Sequence, residues 1–494
     1  MTISSTLFGD LRARGVVVDL FCGGGGASEG IRRATGACPD VAINHNEHAI
    51  AMHAANHPRT IHAQEDVWAV VPRWEARGRA VDILWASPQC THFSRARGGV
   101  PCSDQQRSQA WVVVEWARAV RPRCIIVENV PEWLTWGPLD EAGQPDPARR
   151  GETFRAWVQA LEDLGYAVDW RVLKACDYGA PTSRTRIYLV ARCDGDAPSW
   201  PEPSHGPGRA LPWRTAADCI DWDLPCPSIF LSPQEARAAG CRRPLAEATL
   251  RRIAEGVRRY VLDCPRPFLL GHTHGGRLRP LDRPFPTITT SNRGEVALVA
   301  PFLTATWNGE TKGQRPRTHD PQAPMPTVTA QGSQGAVVAA FLDKLHGSAR
   351  AGQPVDAPAP TISAGGGRGG GHAALVVAFL AHYYSGGGQG QGLADPVHTV
   401  TTHDRHALVT VQIDGEPYVI TDIGMRMLSP RELARAQGFP DSYILTGTRA
   451  QQIERIGNSV CPDVAEVLVR AQLVAERRAA RAFEALASGT RGPE

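Results

Sequence analysis

The chain has 494 residues, and at roughly 150 residues per domain that length allows two to four domains and a large buried core. Hydrophobic residues make up 42% and charged residues 21%, with 49 Gly and 39 Pro, which excludes a mostly disordered chain. Lys and Arg number 53 against 50 Asp and Glu, so the net charge is only +3 and any nucleic-acid surface has to be a local patch.

The cations are almost all Arg, with Lys only at Lys174, Lys312 and Lys344. No window approaches the roughly 18 uninterrupted apolar residues of a membrane span, and MTISSTLFGDLRARG lacks the apolar core of a signal peptide. A soluble, cytoplasmic protein with no membrane contact is expected. The 12 cysteines are scattered, without a CxxC pair or a Cys/His cluster at zinc spacing, so neither a disulfide framework nor a metal site is expected.

From Val16 to Arg192 short apolar runs alternate with helix-like stretches: VVVDLF, a helix from Ala27 to Thr35, VAIN, a helix near His48 to Asn56, and VDILWA. Further strands are expected at Cys124 to Glu128, Ala167 to Leu173 and Ile187 to Ala191. Such alternation predicts βαβ units and a parallel sheet covered on both faces, an α/β catalytic domain over residues 1–200. Residues 201–267 read as a Pro-punctuated connection with one helix, Leu245 to Leu262.

Residues 268–415 shift to Gly, Pro, Thr and Val and carry a fourfold repeat. Its units contain Pro286-Thr287-Ile288-Thr289, Pro326-Thr327-Val328-Thr329, Pro360-Thr361-Ile362-Ser363 and His398-Thr399-Val400-Thr401, each followed by a polar loop and an apolar strand such as ALVAPFL. Each unit reads as a β-hairpin, with Arg293, Gln334, Arg368 and Arg405 near the tips. Trp307, His346 and Tyr384 recur at matching positions and read as packing residues. A closing segment, 416–485, returns to helical patterning, and 486–494 reads as a disordered tail.

Several segments bear chemistry. Val16 to Gly26 is an apolar strand running into a glycine turn, where a parallel sheet binds nucleotides, although a ligand-free βα turn would look the same. Asp66 suits an adenine amino group or a surface cap. Cys90, directly after VDILWA and before a loop with Gly98 and Gly99, is placed like a nucleophile under a lid, or is a buried thiol. Glu128 ends an apolar strand, as a helix cap or as a catalytic acid facing the cleft. Arg184 and Arg186 are two apart and share one face of an extended chain.

In order and wording these segments resemble the DNA (cytosine-5) methyltransferase family: DLFCGGGG, the Pro/Cys segment, ENV, the RxR segment, LSPRELARAQGFPDSY and IGNSV, spread over most of the chain. The resemblance implies an S-adenosylmethionine-dependent, Rossmann-like methyltransferase domain with a small, mainly β target-recognition domain inserted before the final motifs. It implies that a cytosine is flipped out of duplex DNA, that Cys90 adds to C6, and that Glu128, Arg184 and Arg186 hold the base. S-adenosylmethionine would lie on Phe21, Cys22, Gly23, Gly24, Gly26, Asn44, His45, Asp66, Val67, Ser87, Asn458 and Ser459. DNA would meet Ser94 on the lid, between Cys90 and Gln106, and the repeat tips Arg293, Gln334, Arg368 and Arg405. Arg pairs with guanine and Gln with adenine in the major groove, so a G·C-rich target is expected if the tips read bases rather than phosphates.

Three positions depart from the family's pattern. Asn44 stands where relatives carry an acid for the ribose, with Glu47 as the substitute; the usual Pro-Cys becomes Pro88-Gln89-Cys90 followed by Thr91; and Thr182 replaces a common Gln. A monomer acting beside a cognate restriction endonuclease is expected. The competing readings are a DNA-binding protein with a decayed active site, against which intact Cys90, Glu128, Arg186 and Asn458 argue, and an RNA cytosine methyltransferase, against which the large repeat region argues.

Overall fold

The computed structural model describes residues 15–88, 108–141, 146–221, 223–245, 249–250, 253 and 428–473. Between 268 and 427 it describes 268–271, 278–280, 296–305, 318–319, 323–325, 335–344, 379–382, 389–392, 406–408, 410–413 and 416–427. The chain divides into two units. One comprises Met1–Ile220, Pro321–Gln334 and Leu428–Glu494; the other comprises Asp221–Asp320 and Gly335–Met427.

The first unit is built on seven strands: β1 (Val16–Leu20), β2 (Val41–Ile43), β3 (Ile61–Ala63), β4 (Val81–Ala86), β5 (Cys124–Asn129), β6 (Ala167–Lys174) and β7 (Thr185–Arg192). They lie in the order β3-β2-β1-β4-β5-β7-β6. Strands β1 to β5 pair in parallel, whereas β7 runs antiparallel to both β5 and β6. The chain moves outward from β1 to β3 and then crosses to β4, so the crevice beyond the β1 and β4 ends is the topological switch point where open α/β sheets take ligands. Helices α1 (Gly26–Thr35), α2 (Glu47–Asn56), α3 (Pro72–Glu75), α4 (Val112–Val120) and α5 (Glu152–Glu162) connect the strands.

Mostly apolar strands buried along their whole length, such as VDILWA and CIIVEN, need cover on both faces. On one face Val113, Trp116, Trp133, Trp157 and Leu161 pack against Leu84, Ile125 and Val127. On the other, Ile31 of α1 and Val464, Leu468 and Val469 of the helical stretch 462–473 cover Ile83, Trp85 and Ile126. The C-terminal segment therefore covers the face of the sheet opposite the core to which Val16 belongs. Helices α7 (Pro430–Gln437) and α8 (Arg449–Asn458) precede it, with capping boxes at Ser429 with Glu432 and Thr448 with Gln451.

The second unit holds the short helix α6 (Pro233–Ala238) and an antiparallel sheet. Strand β9 (Val296–Ala305) runs between β8 (Phe268–Gly271) and β10 (Gly335–Lys344), and β10 also pairs with β11 (Glu416–Met427). The apolar strands of the first two repeats are thus antiparallel neighbours. Their Pro-Thr partner strands lie outside the described residues, as do Arg293, Gln334, Arg368, Arg405, Trp307, His346 and Tyr384. Of the helix expected over Leu245 to Leu262, only Thr249, Leu250 and Ile253 are helical among its described residues. No helix among the described residues is long and apolar enough to cross a membrane.

Candidate active site

The C-terminal ends of five neighbouring strands bring the sequence motifs to one edge. After β1, Phe21 and Gly23 both adopt positive φ, 58° and 53°, in a tight turn that sends the chain into α1. A non-glycine residue there is strained, and the turn is held by Cys22 N–H donating to the Ile43 carbonyl at 3.2 Å and Gly25 N–H to Cys22 at 2.9 Å.

The four glycines are not equivalent. A Cβ on Gly24 would press on Ser459 Oγ at 3.1 Å and Met52 Sδ at 3.3 Å, one on Gly25 would collide with the Tyr443 hydroxyl, and one on Gly26 with the Val460 carbonyl. Those three let the closing segment approach. A Cβ on Gly23 would meet nothing nearer than the Phe21 carbonyl at 3.7 Å, so at this position the turn is open. Tyr443 also donates to the Gly24 carbonyl at 2.7 Å, and the Ser459 hydroxyl donates to the Arg455 carbonyl at 2.7 Å. Asn458 is exposed and Ser459 buried.

After β2, the Asn44 side-chain oxygen accepts from Asn46 N–H at 2.9 Å, which leaves its amide nitrogen as a donor for a hydroxyl. His45 and Glu47 are exposed, the latter 3.6 Å from His48. After β3, Asp66 is exposed and accepts from Trp68 N–H at 2.9 Å, beside buried Val67. After β4, Ser87 N–H donates to the Leu20 carbonyl at 3.3 Å, and its hydroxyl accepts from the Trp85 indole at 3.0 Å. An open turn, an amide donor, a carboxylate and an apolar residue along one sheet edge form a donor set that can hold a nucleoside. Among the described residues no group of three or more His, Cys, Asp or Glu could hold a metal ion.

Beside this edge lies a charged cluster. The β5–β7 register sets Glu128 opposite Tyr188, so Arg186, two residues before Tyr188, falls on the same face. Arg186 Nε lies 3.2 Å from Glu128 Oε1, and Arg184 Nη2 lies 3.8 Å from the same oxygen. Arg186 also donates to the Thr185 carbonyl at 2.7 Å. Arg184 is buried and donates to the Gly457 carbonyl at 3.1 Å, which ties the RxR segment to the closing segment. Burial and the nearby Arg186 pull the Arg184 pKa down. Burial, reinforced by Glu128, pushes the Tyr188 hydroxyl well up. Glu128 itself is only 6% exposed, and its Oε1 receives no hydrogen bond among the described residues.

Next to Glu128, Asn129 Nδ2 donates to the Pro88 carbonyl at 3.3 Å, while its Oδ1 accepts from Val130 N–H at 2.8 Å. Cys90 and Ser94 lie outside the described residues, which end at Pro88 on this side of the loop. A second segment joins the chain just before Arg184: Met325 N–H donates to the Pro181 carbonyl at 2.9 Å, and Ser183 N–H to the Met325 carbonyl at 2.8 Å. Buried Thr182 forms the bridge to Met325.

Residues 16–205 and 372–473, more than half of the chain, match the family described as C-5 cytosine-specific DNA methylase. The chain belongs to this family. It is accordingly an enzyme, a DNA cytosine-5 methyltransferase. Over 469 residues it is 27% identical to the type II methyltransferase M.AgeI of Thalassovita gelatinovora, covering 90% of this chain and 96% of that protein. It is 31% identical over 210 residues to the type II methyltransferase M1.HphI of Haemophilus parahaemolyticus, 41% of this chain and 51% of that one. Among solved structures, the Schizosaccharomyces pombe Dnmt2 methyltransferase is similar with a TM-score of 0.45 at 16% identity, over 94% of this chain and 99% of that one. Within the family, the ends of β1 to β5 are the methyltransferase's candidate site. Asn129, Tyr443 and Met325 are the contributors that motif reading did not single out. Asn129 and Tyr443 stand inside quoted motifs, whereas Met325 carries no local signal.

Proposed function

We propose that the enzyme methylates cytosine at C5 within a short duplex sequence, with S-adenosylmethionine as the methyl donor and the base flipped into the cleft beside Glu128. The observation that carries this reading is the buried Glu128, flanked by Arg186 and Arg184 and one residue from the Asn129 anchor on Pro88.

Cytosine C5 is a weak nucleophile, so the Cys90 thiolate adds to C6 and makes C5 electron-rich. Glu128 accepts from the N4 amino group and shares a proton with N3, offsetting the charge that develops on the ring. This use matches a carboxylate oxygen that receives no hydrogen bond from the described residues. Arg186 faces O2 as a fixed cation. Arg184, more deeply buried, holds Glu128 and Gly457 together and backs the cluster. Asn129 fixes the base of the Cys90 loop. Gly23, Asn44, Asp66, Val67, Ser87 and Asn458 would hold S-adenosylmethionine, which would supply the methyl group. Loss of the C5 proton then lets Cys90 leave C6. Flipping the base costs roughly a few kcal/mol, and the lid that bears Ser94 closes over it.

The repeat unit supplies target recognition through Arg293, Gln334, Arg368 and Arg405, reading a G·C-rich site. We place the enzyme in the cytoplasm as a monomer, beside a cognate restriction endonuclease; its similarity to type II methyltransferases supports that pairing. Transfer of labelled methyl from S-adenosylmethionine to unmethylated duplex DNA, with bisulfite sequencing of the product, tests the whole reading. Methylation at one short G·C-rich motif, abolished in Cys90→Ser, is expected. A wild-type enzyme that binds DNA and transfers nothing would overturn it, and an A·T-rich motif would remove the role given to the arginine tips.

A further inference from the structure

Beneath the glycine turn runs a buried hydrogen-bond chain that the methylation chemistry does not use. The Ser28 hydroxyl donates to Asp19 Oδ2 at 2.6 Å. His53 Nε2 lies 2.8 Å from Ser28 Oγ, and His62 Nε2 lies 2.8 Å from His53 Nδ1. The chain therefore links β1, α1, α2 and β3, the four elements whose ends frame the turn. Asp19, Ser28 and His53 are fully buried; His62, at the far end, is half-buried and reaches water. Asp19 Oδ1 is buried without a hydrogen-bond partner.

Every link can reverse. With Asp19 ionised, His62 donates to His53, His53 to Ser28 and Ser28 to Asp19. A proton arriving at His62 Nδ1 displaces the Nε2 proton onto His53 Nδ1, the His53 Nε2 proton onto Ser28, and the Ser28 proton onto Asp19. One proton is gained, both imidazoles stay neutral, and each hydrogen bond survives with its direction inverted. A buried carboxylate whose Oδ2–Ser28 hydrogen bond persists in both states, with a path to solvent, is built to change charge.

We propose that this chain sets the charge of Asp19 beneath the cofactor turn, and through it the preference of the turn for the cationic methyl donor over its neutral demethylated product. S-adenosylmethionine carries a sulfonium and S-adenosylhomocysteine a thioether, so a carboxylate under the turn favours the first and leaves the second nearly unaffected. The charge reaches the turn: Asp19 adds to the burial that pushes the Cys22 thiol well up. Burial holds the Asp19 carboxyl at about 7, against the lowering effect of the Ser28 hydroxyl and amide. The other groups facing the chain leave that titration to Asp19. His57, its ring tilted against that of His53 at 4.6 Å, is held neutral by burial, which lowers it to about 4. The Tyr443 and Cys38 protons are held on by burial, and Glu29 is paired with Arg32 and Arg33.

The inference rests on the cofactor reading above, and calorimetric binding separates the two. Dissociation constants of the full-length enzyme for S-adenosylmethionine and S-adenosylhomocysteine are measured from pH 6 to 8.5, in wild type and in Asp19→Asn. The wild-type preference for S-adenosylmethionine, divided by that of the variant to cancel the ligands' own titrations, should rise about tenfold across this range. Ser28→Ala, which retains the carboxylate and removes its donor, should move the rise to higher pH. If both ligands bind and the wild-type and Asp19→Asn preferences change in parallel, the inference fails while the cofactor reading stands. If neither ligand binds wild type, the cofactor reading falls and takes this inference with it.

Discussion

Arg186 and Glu128 meet across the β5–β7 pair with Nε 3.2 Å from Oε1, while Arg184 reaches the same oxygen from 3.8 Å. The two arginines differ in burial, with side chains 15% and 5% exposed, and the difference separates their expected roles. Glu128→Gln should lower kcat by roughly 10²–10⁴-fold, the range for loss of a positioned acid–base group, with the melting temperature little changed. Arg186→Ala should lower kcat by about 10²-fold with a modest thermal effect. Arg184→Ala strips the Gly457 carbonyl and a buried carboxylate of a partner, and should destabilise the fold by about 3–5 kcal/mol in urea unfolding. A stable Arg184→Ala with normal turnover would contradict this division.

Asn129 joins β5 to the start of the Cys90 loop through the Pro88 carbonyl. Asn129→Ala should cost about 1–3 kcal/mol, because it leaves a buried carbonyl and the Val130 amide without their partner. It should also lower kcat by up to about 10²-fold by loosening the nucleophile's position. Affinity for S-adenosylhomocysteine should not move, since Asn129 lies away from the glycine turn; equilibrium binding beside steady-state kinetics checks the split.

The glycine run makes a stability prediction that differs residue by residue. Gly26→Ala drives a methyl group into the Val460 carbonyl and should lose about 3 kcal/mol. Gly23→Ala makes only an ordinary 3.7 Å contact with the Phe21 carbonyl but holds φ at 53°, a strain of roughly 1–2 kcal/mol. Thermal melts should rank wild type above Gly23→Ala and Gly23→Ala above Gly26→Ala. In binding, only Gly23→Ala should weaken the nucleoside beyond its thermal effect.

Asp19 makes stability depend on pH in a stated direction. Its carboxyl is raised from 3.8 to about 7 by burial, so between those values the folded chain keeps a proton that the unfolded chain has lost. The contribution is fully present below about pH 4 and is lost as pH rises through about 7. Asp19→Asn removes the dependence, and its stability relative to wild type should improve by roughly 3 kcal/mol between pH 5 and pH 8. Urea titrations at the two pH values measure it, and a wild-type and variant pair that track each other would refute the assignment.

The sequence by itself determined the backbone of the first unit and the chemistry on its edge. VVVDL, VDILWA and CIIVEN are apolar runs short enough to be strands, and position at or directly after their ends marked Glu128 and the glycine turn, while leaving Glu128 as a cap or an acid and the turn with or without a ligand. Arg184 and Arg186 were legible as a pair because an extended chain returns to the same face every second residue. Local pattern carries periodicity and burial, and it does not carry partners.

Only the tertiary structure decided what the partners were. Gly24 and Gly26 read as cofactor glycines, yet the space beside each is filled by Ser459 and Val460, which reach them because the C-terminal helical stretch completes the core over β1 and β4. Tyr443 bonds to Gly24 across 419 residues of chain, a separation over which no motif spacing is informative. His53 and His62 look unremarkable in the text, nine residues apart in a helix and a strand, until α2 packs between α1 and β3 and closes the path from water to Asp19. Packing forced those contacts because a buried polar atom must be hydrogen-bonded or cost free energy, a constraint that acts between neighbours in space and leaves no mark along the chain.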